Sequence, residues 1–196
     1  MRRRRRVMSW IGRRIAAAAS MNEIESTFVE PFYLKMMALN ALRSADDLWA
    51  DLVAARRTVT ACEVSWMLRT GHWRPVVMGA WFSAAVAAEP GRHDLVAAMS
   101  PPKGSLTAAP LAAAATLVAG TATVPATSTY IEFMTAWALR DGSENVVAAA
   151  VEHLGAKAAI VSTEEGGRAF RGVRDVRTPL VTLSVPHGRT DLPPPA

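Results

Sequence analysis

A lone cysteine, Cys62, sits second in the run that follows Thr60, where a helix N-terminus lowers a thiol pKa and favours a nucleophile or redox sensor. His72 follows ten residues later and is the base that a Cys/His pair would use. Glu63 opposes thiolate formation, and the common place of an unpaired cysteine is as a small buried hydrophobe. Histidines 72, 93, 153 and 187 stand alone in separate segments, without the CxxC or HxxxH spacing by which one element preorganises two zinc ligands. No metal and no cofactor are therefore expected. P-loop, GxGxxG, GxSxG and HExxH signatures are all missing from the sequence, and acids are scattered apart from Asp46-Asp47 and Glu164-Glu165. The expectation is a non-enzyme with no identifiable small-molecule substrate, and a thiol enzyme or redox sensor at Cys62 as an alternative.

Two stretches are better suited to binding than to catalysis. His72, Trp73 and Arg74 stand at a helix junction, where an aromatic–arginine pair on a hairpin edge can anchor a protein partner. Arg2, Arg3, Arg4, Arg5, Arg6, Arg13 and Arg14 make residues 1–20 strongly basic, with no acid among them. As a helix, this arm would align Val7, Ile11 and Ile15 and could lie weakly on an anionic membrane or contact nucleic acid. The other readings are a solvated basic tail, or a start at Met21 rather than Met1. Arg13 and Arg14 interrupt the apolar run that a secretory signal needs.

The chain has 196 residues, 51% of them hydrophobic, enough for one domain with its own core. Its net charge of +5 comes from the arm, since residues 21–163 carry ten Lys+Arg against thirteen Asp+Glu. A basic face on the body is not expected, and one cysteine suggests a reducing, cytoplasmic compartment.

Helix signals fill the middle. FYLKMMALNAL (32–42) has helical spacing, and Ser44 followed by Asp46-Asp47 reads as the start of a second helix burying Leu48, Trp49, Leu52 and Val53. Thr60 and Glu63 form a capping box, flanked by a Val59–Val64 staple, and Gly71 ends that helix. With Pro75 in its first turn, GHWRPVVMGAWFSAAVA is apolar almost all round, which predicts a helix enclosed by others, with Gly79 admitting a close neighbour. Glu89-Pro90-Gly91 reads as a turn before a helix over 92–100. LTAAPLAAAATLVAG reads as a helix capped by Gly120, TATVPATST as a loop, and 130–142 as a helix burying Ile131, Met134 and Trp137. Ser143 caps a run ending at Gly155. Five of the six tryptophans fall in apolar stripes and are expected in the core.

DLVAA recurs at 51–55 and 94–98, an offset of 43 residues that lies in the range of HEAT-type repeats. The expected fold is all-α: stacked antiparallel helical hairpins, a HEAT-like α-solenoid fragment, with loosely ordered termini. Residues 1–21 form a basic arm, 22–160 the helical domain, and 161–196 a loop or disordered tail with room for a strand at 180–185.

The runs EPFYLKMMALN and RRTVTACEVSWMLRTGHWRPVVMGAWF resemble a bacterial family of helical proteins known as domain-of-unknown-function family six thousand. The shared features are Phe32 to Leu34, Trp73-Arg74 and Ala80-Trp81. The likeness spans about residues 30–160 and departs after Met99, where an Ala/Thr-rich stretch replaces the family's Gly- and Tyr-containing segment. It implies a helical fold and no activity. Together these readings lead to the expectation of a protein-binding or regulatory module, of which an immunity-like protein is one version, with an unknown protein partner.

Overall fold

The computed structural model describes residues 20–85, 89–137 and 139–182. Among these there is no strand; the chain is helical throughout. A turn of π-helix (α1, Glu25–Val29) leads to a short helix (α2, Tyr33–Met36), then α3 (Ala41–Thr58), α4 (Ala61–Arg69) and α5 (Trp73–Phe82). Helices α6 (Glu89–Ala97), α7 (Ser105–Ala119), α8 (Val124–Ala136), α9 (Ser143–His153) and α10 (Glu164–Thr182) follow. Short connections make α4–α5, α8–α9 and α9–α10 hairpins, and they stack around α7, which touches α5, α6, α9 and α10.

The capping box is present: Glu63 N–H donates to Thr60 Oγ1 at 3.3 Å and Thr60 N–H to Glu63 Oε2 at 2.6 Å. Val59 and Val64 are both buried beside it. Gly71, at φ +77°, turns the chain into α5. Every residue from Pro75 to Phe82 is buried, as a helix apolar on all sides requires. Trp81 donates its indole N–H to Met36 O at 2.9 Å, and Phe82 meets Phe28 and Phe32 edge-on at 5.9 and 6.2 Å. A Cβ on Gly79 would stand 3.0 Å from both Met67 Cβ and Leu68 Cγ, so α4 and α5 meet at this glycine.

Helix α7 is the central element because its alanines let neighbours approach on every side; Thr107 to Thr116 are all buried. Pro110 within it has no N–H to give to Leu106 O, four residues back. That carbonyl instead accepts from Ala38 N–H at 2.9 Å, tying the α2–α3 connection to α7. Ala38 adopts a left-handed φ of 48° to make this bond.

Several expectations are corrected. The helix expected over 32–42 breaks at Met37 to Asn40, and α3 begins at Ala41, placing Ser44 inside it rather than at its cap. Glu89-Pro90-Gly91 is not a turn but the first turn of α6, where Pro needs no hydrogen-bonded N–H. The TATVPATST loop is a 3-10 turn leading into α8, with Pro125 in the first turn. Gly142, not Ser143, is the N-cap residue of α9.

The largest correction concerns the tail over 161–196. Residues 164–182 form α10, which packs on α7, α9 and α3. Phe170, Val173, Arg177 and Leu180 make its buried stripe. Its glycines permit contact rather than break the helix: a Cβ on Gly166 would meet the Asn145 backbone at 2.8 Å. The strand expected at 180–185 is helix through Thr182, and 183–185 lie outside the described residues.

Candidate functional site

The helix junction at residues 72–74 forms a small aromatic–cationic edge. Tyr33, from the short α2, meets Trp73 edge-on with ring centroids 5.6 Å apart. The Arg74 guanidinium lies across both rings, 5.1 Å from Tyr33 and 5.5 Å from Trp73. Arg74 is exposed and, among the described residues, makes no ion pair. Beside it is a cavity of about 330 Å³ walled by Val29, Tyr33 and Leu34 and rimmed by Glu25 and Glu30. Leu34 is 55% exposed at its mouth. His72 is exposed and precedes α5 at the N-cap position, without capping through its side chain. Tyr33 is the member that sequence reasoning did not bring to this edge: its pairing with Trp73 joins segments forty residues apart, which no local pattern reports.

Cys62 and His72 are not brought together. Cys62 lies in the first turn of α4 and His72 beyond its last, and a helix of that length separates its ends by ~10 Å. Cys62 is exposed, against the expectation of a buried thiol. It lines a cavity of about 630 Å³ with Glu23, Glu63 and Trp66. Among the described residues no group of three or more His, Cys, Asp or Glu side chains is placed to hold a metal ion. His93 is exposed on α6, and His153 stacks on Phe170 at 5.5 Å under Arg174. Arg2 to Arg6, Arg13, Arg14, Trp10 and His187 lie outside the described residues.

A third concavity, about 380 Å³, opens where the N-termini of α7, α9 and α10 converge. Asp141 occupies this convergence: its carboxylate accepts from Ser105 N–H at 2.8 Å and Ser143 N–H at 3.0 Å, capping two helices. Partial burial pushes the Asp141 carboxyl up, but the hydrogen bonds from Ser143 and Ser105 outweigh that and hold it below its ordinary value. Thr163 caps the third helix through Gly166 N–H. Beneath, Tyr130 donates to Ser143 Oγ at 2.8 Å, and burial pushes its phenol up to about 12.

Two buried polar clusters were not expected. Asp94 is held by Ser65 and by Arg69 Nε, the latter at 2.7 Å, joining α6 to α4. At the C-terminal end of α5, Arg177 reaches from α10 to Ser83 Oγ at 2.7 Å and Trp81 O at 3.5 Å, while Arg56 Nη2 reaches Ala84 O at 3.4 Å. Arg177 is completely buried, and burial, then the charge of Arg56, pushes its pKa down to about 9.

The expectation that five tryptophans are core residues holds in full only for Trp81; Trp49, Trp66 and Trp73 are half-buried. Trp137 is exposed, lying just beyond α8, which ends at Ala136. Its ring stands 6.1 Å from Phe133. The segment Ser105–Ala136 has the length and hydropathy of a membrane span, but 61% of its most apolar window is buried within the fold.

The architecture defines an all-α protein of stacked helical hairpins. No family model, curated protein or solved structure matches the chain.

Proposed function

We propose that the chain is a non-enzymatic module that binds a protein partner through the edge formed by Tyr33, Trp73 and Arg74. The observation that carries this reading is the Arg74 guanidinium, stacked on two rings and presented to solvent without an ion pair. Stacking fixes the planar fork, so less side-chain entropy is lost when a partner's carboxylate meets it. Leu34 and Val29 supply an adjacent apolar wall for a side chain, and Glu25 and Glu30 a rim that favours a basic group beyond it. The separation of Cys62 from His72 favours this over the thiol alternative.

The test places a photo-crosslinking amino acid at Leu34 in the full chain, expressed in its native host. A discrete cross-linked protein that disappears in Arg74→Glu supports the reading. Cross-links absent, or unchanged by Arg74→Glu in a folded protein, reject it. A cross-linker at the exposed Arg168 on α10 serves as the control.

A further inference from the structure

The C-terminal end of α8 carries three large apolar side chains left exposed or partly exposed among the described residues. Trp137 is 68%, Leu139 53% and Phe133 36% exposed. Together they leave roughly 300 Å² of side chain uncovered, taking ~150–250 Å² for each aromatic group. The Phe133 and Trp137 rings stand 6.1 Å apart, and Leu139 follows two residues after Trp137. Leu139 N–H donates to Met134 O at 3.2 Å, which holds the chain beyond the helix in place.

A second copy of the chain fits this tip poorly. Face-to-face pairing would bury roughly 600 Å² in all, the scale of a lattice contact and about half the area of a specific dimer. A lipid surface fits it well, since a bilayer imposes no shape and needs only a small protruding apolar group. Tryptophan favours the headgroup level, where its ring is apolar on one side and its N–H wet on the other.

Charge selects the kind of lipid. Arg140 follows the tip directly and is exposed. The Asp141 carboxylate is turned inward onto two helix ends, leaving Glu132 as the acid on the exposed side of α8. The chain as a whole carries +5, with seven arginines and no acid in its first twenty residues. That excess draws the protein to an anionic bilayer and is screened by salt.

We propose that Phe133, Trp137 and Leu139 insert into the headgroup region of an anionic lipid bilayer, with the basic N-terminal residues supplying the electrostatic attraction. The site is separate from the Tyr33–Trp73–Arg74 edge and stands or falls independently of it.

Two measurements on the full chain decide the matter. The first is co-sedimentation with vesicles of phosphatidylcholine, with and without phosphatidylserine. The protein is expected to partition onto the anionic vesicles, and Trp137→Ser/Leu139→Ser to weaken that partitioning roughly tenfold or more, the loss expected when two inserted apolar groups are removed. Unchanged partitioning of the double variant overturns the proposal and assigns binding to the arm alone. So does a dimer, seen by light scattering, that the double variant dissociates.

The second keeps all three side chains. An environment-sensitive dye is attached at Ala136→Cys in a Cys62→Ser background. Its emission is expected to shift to the blue with the anionic vesicles, and an unshifted spectrum overturns the proposal.

Discussion

Arg177 is the residue whose replacement tests the energetic reasoning most directly. Buried arginines usually face a carboxylate, and removing one then strands the partner at a loss of about 3–5 kcal/mol. Arg177 instead faces a hydroxyl, a carbonyl and another guanidinium, and its Nε has no partner. Its pKa falls from 12.5 to about 9, so holding its charge in the fold costs roughly 4–5 kcal/mol. Arg177→Met would remove that cost. It would give up the charged hydrogen bond to Ser83, roughly 2 kcal/mol, and leave a small void worth roughly 1 kcal/mol. Ser83 would keep its own bond to Ala80 O, at 2.8 Å. The balance predicts a variant about 1–2 kcal/mol more stable than the native chain, read by urea unfolding at neutral pH.

The pH dependence provides an internal check on the same residue. A base whose folded pKa is lowered burdens the fold while charged, and that burden fades as pH rises from about 9 toward 12.5. The advantage of Arg177→Met should therefore narrow above about pH 9. A loss of more than about 2 kcal/mol on substitution would refute the reasoning, because it would mean that the guanidinium is compensated by an anion.

Other consequences follow from single contacts. Asp141→Ala should destabilise by roughly 2 kcal/mol, from two lost caps, while Asp141→Asn, whose single amide oxygen can accept only one of the two bonds, should lose roughly 1 kcal/mol. Because its carboxyl titrates below the ordinary range, the Asp141 contribution is complete above that range and is lost as pH falls through the depressed value, so the Asp–Asn difference should vanish in acid. Gly166→Ala should cost about 2 kcal/mol or more, since its Cβ meets backbone at 2.8 Å; Gly79→Ala, against side chains at 3.0 Å, should cost less, and thermal melting of the pair would reverse the argument if the order were inverted. Ala38→Gly should stabilise by about 1 kcal/mol in the same assay by relieving a left-handed alanine.

Local chemistry was legible in the sequence wherever a signal sat next to its effect. The Thr60–Glu63 box, Gly71, Pro75 and the all-apolar α5 depend on residues within one or two turns, and each is found as expected. What failed required knowledge of a distant surface. The glycines of α10 look like breakers until Gly166 is placed against α9 and Gly172 against Leu42 of α3, and the helical spacing of Phe170, Val173 and Leu180 was the signal that would have revealed the element. Trp137 has the spacing of a core residue, but α8 stops one residue short and, among the described residues, no helix covers it. The two copies of DLVAA show the same limit. Leu52 and Leu95 are both fully buried, yet Asp51 is exposed while Asp94 is buried against Ser65 and Arg69. An echo in sequence preserved the apolar register and not the chemistry.

Several charges of the body hold its helices together. Asp141 sits at the positive ends of α7 and α9, and Arg177 and Arg56 reach the carbonyl end of α5. Asp94 bonds α6 to α4, and Glu63 closes its own cap. These ions hold a fold whose central helix is nearly half alanine and offers few large side chains to interlock. Tyr33–Trp73–Arg74 and Phe133–Trp137–Leu139 are surface groupings built on ring pairs. Rings at such sites bring contact area with little entropy to lose on binding. The two features should then respond differently to salt: Arg74 contacts weaken only modestly, whereas attachment through the basic arm is lost steeply.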